Sequence, residues 1–214
     1  MPKTSVLLVE DHTVVRQGLR RILENDPTIE IVAEVGDGRE AIAAAQQLTP
    51  DVAIVDISLP ALNGVEVTRH LAKVTPATRV LILSMHADEA YVRQSLKAGA
   101  KGYLLKDADD QDLLRAVSAL SSGGSYFSPL VSKLLLDGFI QEGPSVVDEL
   151  SVLSDREREV LQLIAEGKSN KEVAQLLNLS VSTVESHRKH IMDKLDLHNT
   201  ASMVRFAVRK GIIQ

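Results

Sequence analysis

The chain contains no cysteine, so disulfides and thiolate metal sites are excluded and nothing demands an oxidising compartment. No apolar stretch approaches the ~20 residues of a membrane span. The opening residues Met1, Pro2, Lys3 and Thr4 run straight into a strand-like segment, so the expectation is a cytoplasmic protein without a membrane partner. An excess of basic charge is also missing, since the net charge of the 214 residues is −5. That total is uneven. Residues 1–125 carry 13 basic and 17 acidic side chains, residues 126–150 carry 1 and 4, and residues 151–214 carry 10 and 8, giving −4, −3 and +2. Only the last segment could offer an anionic partner a favourable surface, and there clustering matters more than the total. The length suits one large or two ordinary domains.

Residues 5–120 alternate between two patterns. Short apolar runs at 5–9, 29–35, 52–55, 79–83 and 101–105 are separated by segments of helical spacing, such as Val15, Leu19, Ile22, Leu23 and then Leu113, Leu114, Val117, Leu120. Five strands with intervening helices predict βαβ crossovers, hence an α/β domain with a five-stranded, doubly wound, flavodoxin-like parallel sheet. The run of two Ser and two Gly at 121–124 breaks the pattern. Leu130, Val131, Leu134, Leu135 and Ile140 then recur at about helical spacing, as a linker helix or as a last helix of the first domain. From 151 onward the pattern is helical only. Ser154 and Glu157 have capping-box spacing, Gly167 is a C-cap signal, and Asn178 to Ser180 joins two short helices as in a helix-turn-helix. The expected division is 1–122, a linker 123–149 with an amphipathic helix, and a four-helix domain 150–214.

The charged residues fall at the strand ends. Glu10 and Asp11 close the first run and Asp56 closes the third, so three carboxylates gather at strand C-termini, the edge where open α/β sheets bind ligands. Clustered carboxylates repel one another unless a cation joins them, and all-oxygen ligands suit Mg²⁺. Ser84 and Lys106 end two further strands. A phosphoryl group on Asp56 would carry about two negative charges, and this hydroxyl and ammonium would supply its donors. Gly36, Gly38 and Ala41 nominally fit the G-x-G-x-x-A dinucleotide fingerprint, with Asp56 some way beyond. That reading leaves Glu10, Asp11, Ser84 and Lys106 without work, so a tight turn is the preferred account of both glycines. His12, His70 and His198 are scattered without ligand spacing and are assigned no role.

In the second domain, Val184, Ile191 and Leu195 mark the buried side of the second helix-turn-helix element. Its outer side carries Ser182, Thr183, Glu185, Ser186, Lys189 and His190 as candidates to face a major groove, with Arg188 and Lys194 near phosphates. Glu185 is awkward beside phosphates but can accept from cytosine N4.

Glu10, Asp11, Asp56, Ser84 and Lys106, with residues 55–64 and 101–106 around them, resemble the receiver domain of two-component response regulators. Residues 154–212, above all 183–192, resemble the helix-turn-helix of the NarL/FixJ and LuxR group. The resemblance implies a DNA-binding transcription regulator rather than an enzyme. Asp56 would accept a phosphoryl group from a sensor histidine kinase. Glu10, Asp11, Asp56 and the backbone carbonyl of Ser58 would hold Mg²⁺. Lys106 would pair with the phosphate, Ser84 would move toward it, and Tyr103 would be the rotameric switch. Ser58 and His86 match positions that tune hydrolysis of the acyl phosphate. In the resting state the receiver would cover the recognition helix. Activation would release a homodimer onto double-stranded DNA, with Val204, Phe206 and Val208 as candidate dimer contacts and RNA polymerase as a further partner. Two alternatives from other classes are a Mg²⁺-dependent phosphatase using Asp56 as nucleophile, and a phosphorylation-driven interaction module without DNA binding.

Overall fold

The computed structural model describes residues 3–85, 87–141 and 149–213. It divides into two compact units, Met1–Gln141 and Glu142–Gln214.

In the first unit, strands β1 (Thr4–Val9), β2 (Ile29–Val35), β3 (Val52–Asp56), β4 (Arg79–Ser84), β5 (Gly102–Leu105) and β6 (Tyr126–Phe127) alternate with helices. These are α1 (Thr13–Glu24), α2 (Gly38–Leu48), α3 (Gly64–Val74), α4 (Glu89–Ala98), α5 (Asp110–Ser121) and α6 (Pro129–Gln141). The sheet is parallel throughout and its order is β2-β1-β3-β4-β5-β6. Strand side chains alternate between two cores. Leu7, Val9, Ala53, Val55, Val80 and Ile82 face α2, α3 and α4, while Val6, Leu8, Val52, Ile54, Leu81 and Leu83 face α1 and α5. The strand order reverses between β1 and β3, so helices leave to opposite faces there and open a crevice over the strand ends.

Two features depart from the expected layout. The sheet has six strands rather than five, because Tyr126 and Phe127 pair with Gly102 and Tyr103 of β5. The first unit also continues past the break at 121–124: Val131 of α6 is fully buried in the core that Tyr103 joins. The amphipathic segment is therefore a last helix of this unit rather than a linker, because its apolar stripe finds a partner on α4. Residues 142–148 and His86 lie outside the described residues.

The second unit begins with a short 3-10 turn, Glu149–Val152, followed by α7 (Asp155–Ala165), α8 (Asn170–Leu177), α9 (Val181–Leu195) and α10 (Thr200–Arg209). Its helix ends are set by local chemistry. Ser154 with Glu157, and Ser169 with Glu172, form reciprocal capping boxes at α7 and α8. Asn178 ends α8 in the left-handed conformation at φ 52°, and Ser180 caps α9 by accepting from the Thr183 amide. Val160, Leu161, Ile164, Val173, Leu177, Val184, Ile191, Met203 and Phe206 fill the core.

Candidate functional site

Glu10, Asp11, Asp56, Ser84 and Lys106 all lie at the C-terminal edge of the sheet, on or just beyond β1, β3, β4 and β5. Parallel register brings these ends together, since Val9 pairs with Val55, Val55 with Ile82, and Ser84 with Leu105. Glu10 and Asp56 are almost wholly buried, and the Lys106 ammonium bridges them at 2.7 Å to Glu10 Oε2 and 2.9 Å to Asp56 Oδ2. Burial alone would lower the Lys106 pKa. Hydrogen bonds and charge from Glu10 and Asp56 outweigh it and raise it above the ordinary lysine value. The Ser58 amide donates to Asp56 Oδ1 at 3.2 Å, which fixes the carboxylate from the other side. Ser58, two residues past Asp56, stands where the phosphatase alternative would need an acid.

One ammonium does not balance three carboxylates. Ligand atoms of Glu10, Asp11, His12 and Asp56 lie within 4.8 Å of one another, and the three carboxylates among them fit a hard divalent cation such as Mg²⁺. His12 was given no role on sequence grounds, yet its Nδ1 lies 2.8 Å from Asp11 Oδ1 and 3.3 Å from Glu10 Oε1. A signal was available: the residue follows Glu10 and Asp11 directly where the strand ends, so strict alternation of faces no longer applies.

Ser84 and Tyr103 are both fully buried, on adjacent strands, with their hydroxyls hydrogen-bonded to each other. Burial, only partly offset by the Ser84 bond, pushes the Tyr103 phenol up to about 12. Close packing holds the loop under the site. A Cβ on Gly64 would stand 2.3 Å from the Asp56 carbonyl oxygen, and one on Gly38 would stand 2.6 Å from the Leu62 carbonyl oxygen. Gly38, which the sequence suggested as a tight turn, is thus required by the approach of α2 to the loop after β3. The N-cap of α2, between Gly36 and Gly38, is Asp37, which accepts from the amides of Arg39 and Glu40.

On α9, Ser182, Glu185, Ser186, Lys189 and His190 are exposed and Thr183 is half-buried, opposite the buried Val184 and Ile191. Two cations expected near phosphates are engaged within the unit. Lys194 Nζ sits 2.7 Å from Glu157 Oε2 and 2.9 Å from Oε1, closing α9 onto α7. Burial alone would raise the Glu157 pKa, but the Lys194 and Ser154 bonds hold it below the ordinary carboxyl value. Arg188 donates to Asn170 Oδ1 at 2.6 Å and to Thr200 Oγ1 at 2.7 Å. Sequence reasoning overlooked Lys168 and Lys171, exposed at the start of α8 and so placed to add basic surface beside α9. Phe206 is 4% exposed beneath Arg209 and Lys210, which removes it as a dimer contact; Val208 is 51% exposed.

Residues 6–118 match the response regulator receiver domain, and residues 151–207 match the bacterial regulatory proteins of the luxR family. The chain is a member of the luxR-type two-component response regulators. The family consists of DNA-binding transcription regulators with a receiver and a helix-turn-helix domain. The oxygen regulatory protein NreC of Staphylococcus carnosus (strain TM300) is 39% identical over 213 residues, covering 97% of this chain and 98% of the relative. The transcriptional regulatory protein DegU of Brevibacillus brevis is 35% identical over 226 residues, covering 99% and 96%. Among solved structures, the response regulator ChrA of a heme-sensing two-component system is 35% identical with a TM-score of 0.55 and full coverage of both chains. RcsB, solved as two dimers bound to two parallel DNAs, is 28% identical with a TM-score of 0.60, covering 96% of this chain and 98% of that one. Among the described residues of this response regulator, no helix is long and apolar enough to cross a membrane.

Proposed function

We propose that this response regulator is switched by transfer of a phosphoryl group from a sensor histidine kinase to Asp56, and that the switched form binds double-stranded DNA as a homodimer. The observation that carries the reading is the buried bridge of Lys106 between Glu10 and Asp56 at the edge where four strands end. An Asp56 carboxylate oxygen attacks the phosphorus of a phosphohistidine, the P–N bond breaks with its electron pair left on the ring nitrogen, and the imidazole leaves neutral, keeping the proton already on its other nitrogen. Lys106 stays within reach of both Asp56 and the new phosphate, and its raised pKa keeps it charged. Glu10, Asp11, Asp56 and the Ser58 carbonyl are the groups that would hold Mg²⁺, which when bound screens the repulsion between carboxylate and phosphate oxygens. Ser84 turning toward the phosphate would give up its bond to Tyr103, which makes this buried pair the switch. Glu185, Ser186 and Lys189 would read base edges, with Ser182, Thr183 and His190 beside them. RNA polymerase would be a further partner of the DNA-bound form. The domain assignment that fits the two units is a receiver through Gln141 and a helix-turn-helix domain from Glu149.

The reading is tested by labelling with acetyl phosphate, read by intact mass. Wild type should label only with Mg²⁺ present, and Asp56→Asn should not label under either condition. Equal labelling of the two proteins rejects Asp56 as the acceptor.

A further inference from the structure

Arg188 stands at the middle of α9 and its two terminal nitrogens point to two different helices, Nη1 to Asn170 and Nη2 to Thr200. Asn170 is the first residue of α8 and Thr200 the first of α10. Both acceptors are neutral, so the arrangement supplies geometry rather than charge cancellation, unlike Lys194, whose charge is met by Glu157. Counting about 100° per residue, Arg188 lies about 40° round the axis from the buried Val184, while Glu185 and Lys189 lie about 100° and 140° round on the same side. It therefore occupies the flank between the stripe that sets the depth of α9 and the side that faces outward. Val184 and Ile191 fix how deep the helix sits and Lys194 holds one flank to Glu157, which leaves Arg188 as the tie on the other flank, the one next to Glu185 and Lys189. A rotation of about 15° carries a side-chain tip ~6 Å from the axis through ~1.5 Å, more than a hydrogen bond tolerates.

We infer that Arg188 is a positioning residue, a strut that fixes the rotation of the recognition helix against the first turns of α8 and α10, and that it makes no DNA phosphate contact. The inference rests on the DNA-binding reading above. The fork of a guanidinium is suited to the task, because two bonds diverge from two nitrogens in one rigid plane and a lysine ammonium cannot reproduce both. Removing the strut should blur which bases are preferred without removing a counterion-releasing contact.

The test uses the full chain phosphorylated with acetyl phosphate, a duplex recovered by wild type from a random library, and all single-base variants of that duplex at two salt concentrations. Arg188→Met should compress discrimination at the preferred positions, from roughly tenfold to roughly threefold per base pair, with the salt slope held within about half a unit. Arg188→Lys should not restore it. Asn170→Ala and Thr200→Val should each give part of the compression, and neither should add to Arg188→Met in the double variant. A slope that falls by about 0.9 with discrimination intact makes Arg188 a phosphate contact and overturns the inference. Unchanged binding in a folded Arg188→Met protein overturns it as well. Should Arg188→Met fail to fold, Asn170→Ala and Thr200→Val decide, since both leave α9 itself untouched, and unchanged discrimination in the two overturns the strut. A wild-type chain that recovers no duplex rejects the DNA-binding reading and the strut with it.

Discussion

Glu157 does three things at once: its amide donates to the Ser154 hydroxyl, its carboxylate accepts from the Ser154 amide, and the same carboxylate accepts from the Lys194 ammonium. Because these bonds hold its pKa below the ordinary value, their stabilisation is complete above the unfolded carboxyl pKa of about 4.5 and is lost as the pH falls through the folded value. Glu157→Gln should therefore flatten the acid limb of the stability curve of the second unit below about pH 5, read by thermal unfolding across a pH series. The same pair alters what Lys194 can do on DNA. With its charge already met, Lys194→Ala should change the salt slope by under about half a unit while lowering stability, whereas Lys189→Ala should change base preference by roughly 1–3 kcal/mol at particular positions. Titration of both variants against a base panel at two salt concentrations separates the outcomes. At this scale the sequence disclosed Asp56, Ser84 and Lys106 because each closes an apolar run. It did not disclose Glu157 facing Lys194 or Arg188 facing Asn170, because partners 37 and 18 residues apart are set by helix packing that no local pattern encodes.

The loop between β3 and α3 is held by contact rather than by turn chemistry alone. Gly64 donates its amide to the Ile57 carbonyl at 3.0 Å, and its missing side chain leaves room for the Asp56 carbonyl. Gly64→Ala should push the Asp56 backbone aside, cost about 1–3 kcal/mol as overpacking, and slow labelling by acetyl phosphate. If the Ala variant labels at the wild-type rate, the loop has more freedom than these contacts allow. Elements with a periodic stripe or a cap were readable: five strands, the Ser154 box, and the short connection at Asn178 to Ser180. The sixth strand was not, because the two residues Tyr126 and Phe127 are too few to express a period of two. The stripe of α6 was equally visible under both assignments, and only its burial against Tyr103 and its neighbours separates them.

At the scale of the whole molecule, charge is segregated by unit. Residues 1–125 carry −4 and residues 126–150 a further −3, while residues 151–214 carry +2. An acidic partner on the same chain opposes DNA binding through the ionic atmosphere, and that opposition fades once the Debye length drops below about 10 Å. Deleting residues 1–145 should raise DNA affinity in the absence of phosphate donor. The share of the gain that disappears at high salt is repulsion, and the share that persists measures masking of the recognition helix. A truncated protein that binds no better than the unphosphorylated whole excludes both.

The bridge from Glu10 through Lys106 to Asp56 joins the first strand to the fifth, its outermost members lying 96 positions apart in the chain. No fragment that ends before Lys106 can assemble it, and β3 must be seated between β1 and β4 before Asp56 meets its ammonium. Such long-range closure comes late in folding. On the ribosome, an emerging chain would therefore lack the bridge until nearly the whole receiver had been made, so that, on the function proposed above, a premature signal could not be stored in an unfinished molecule.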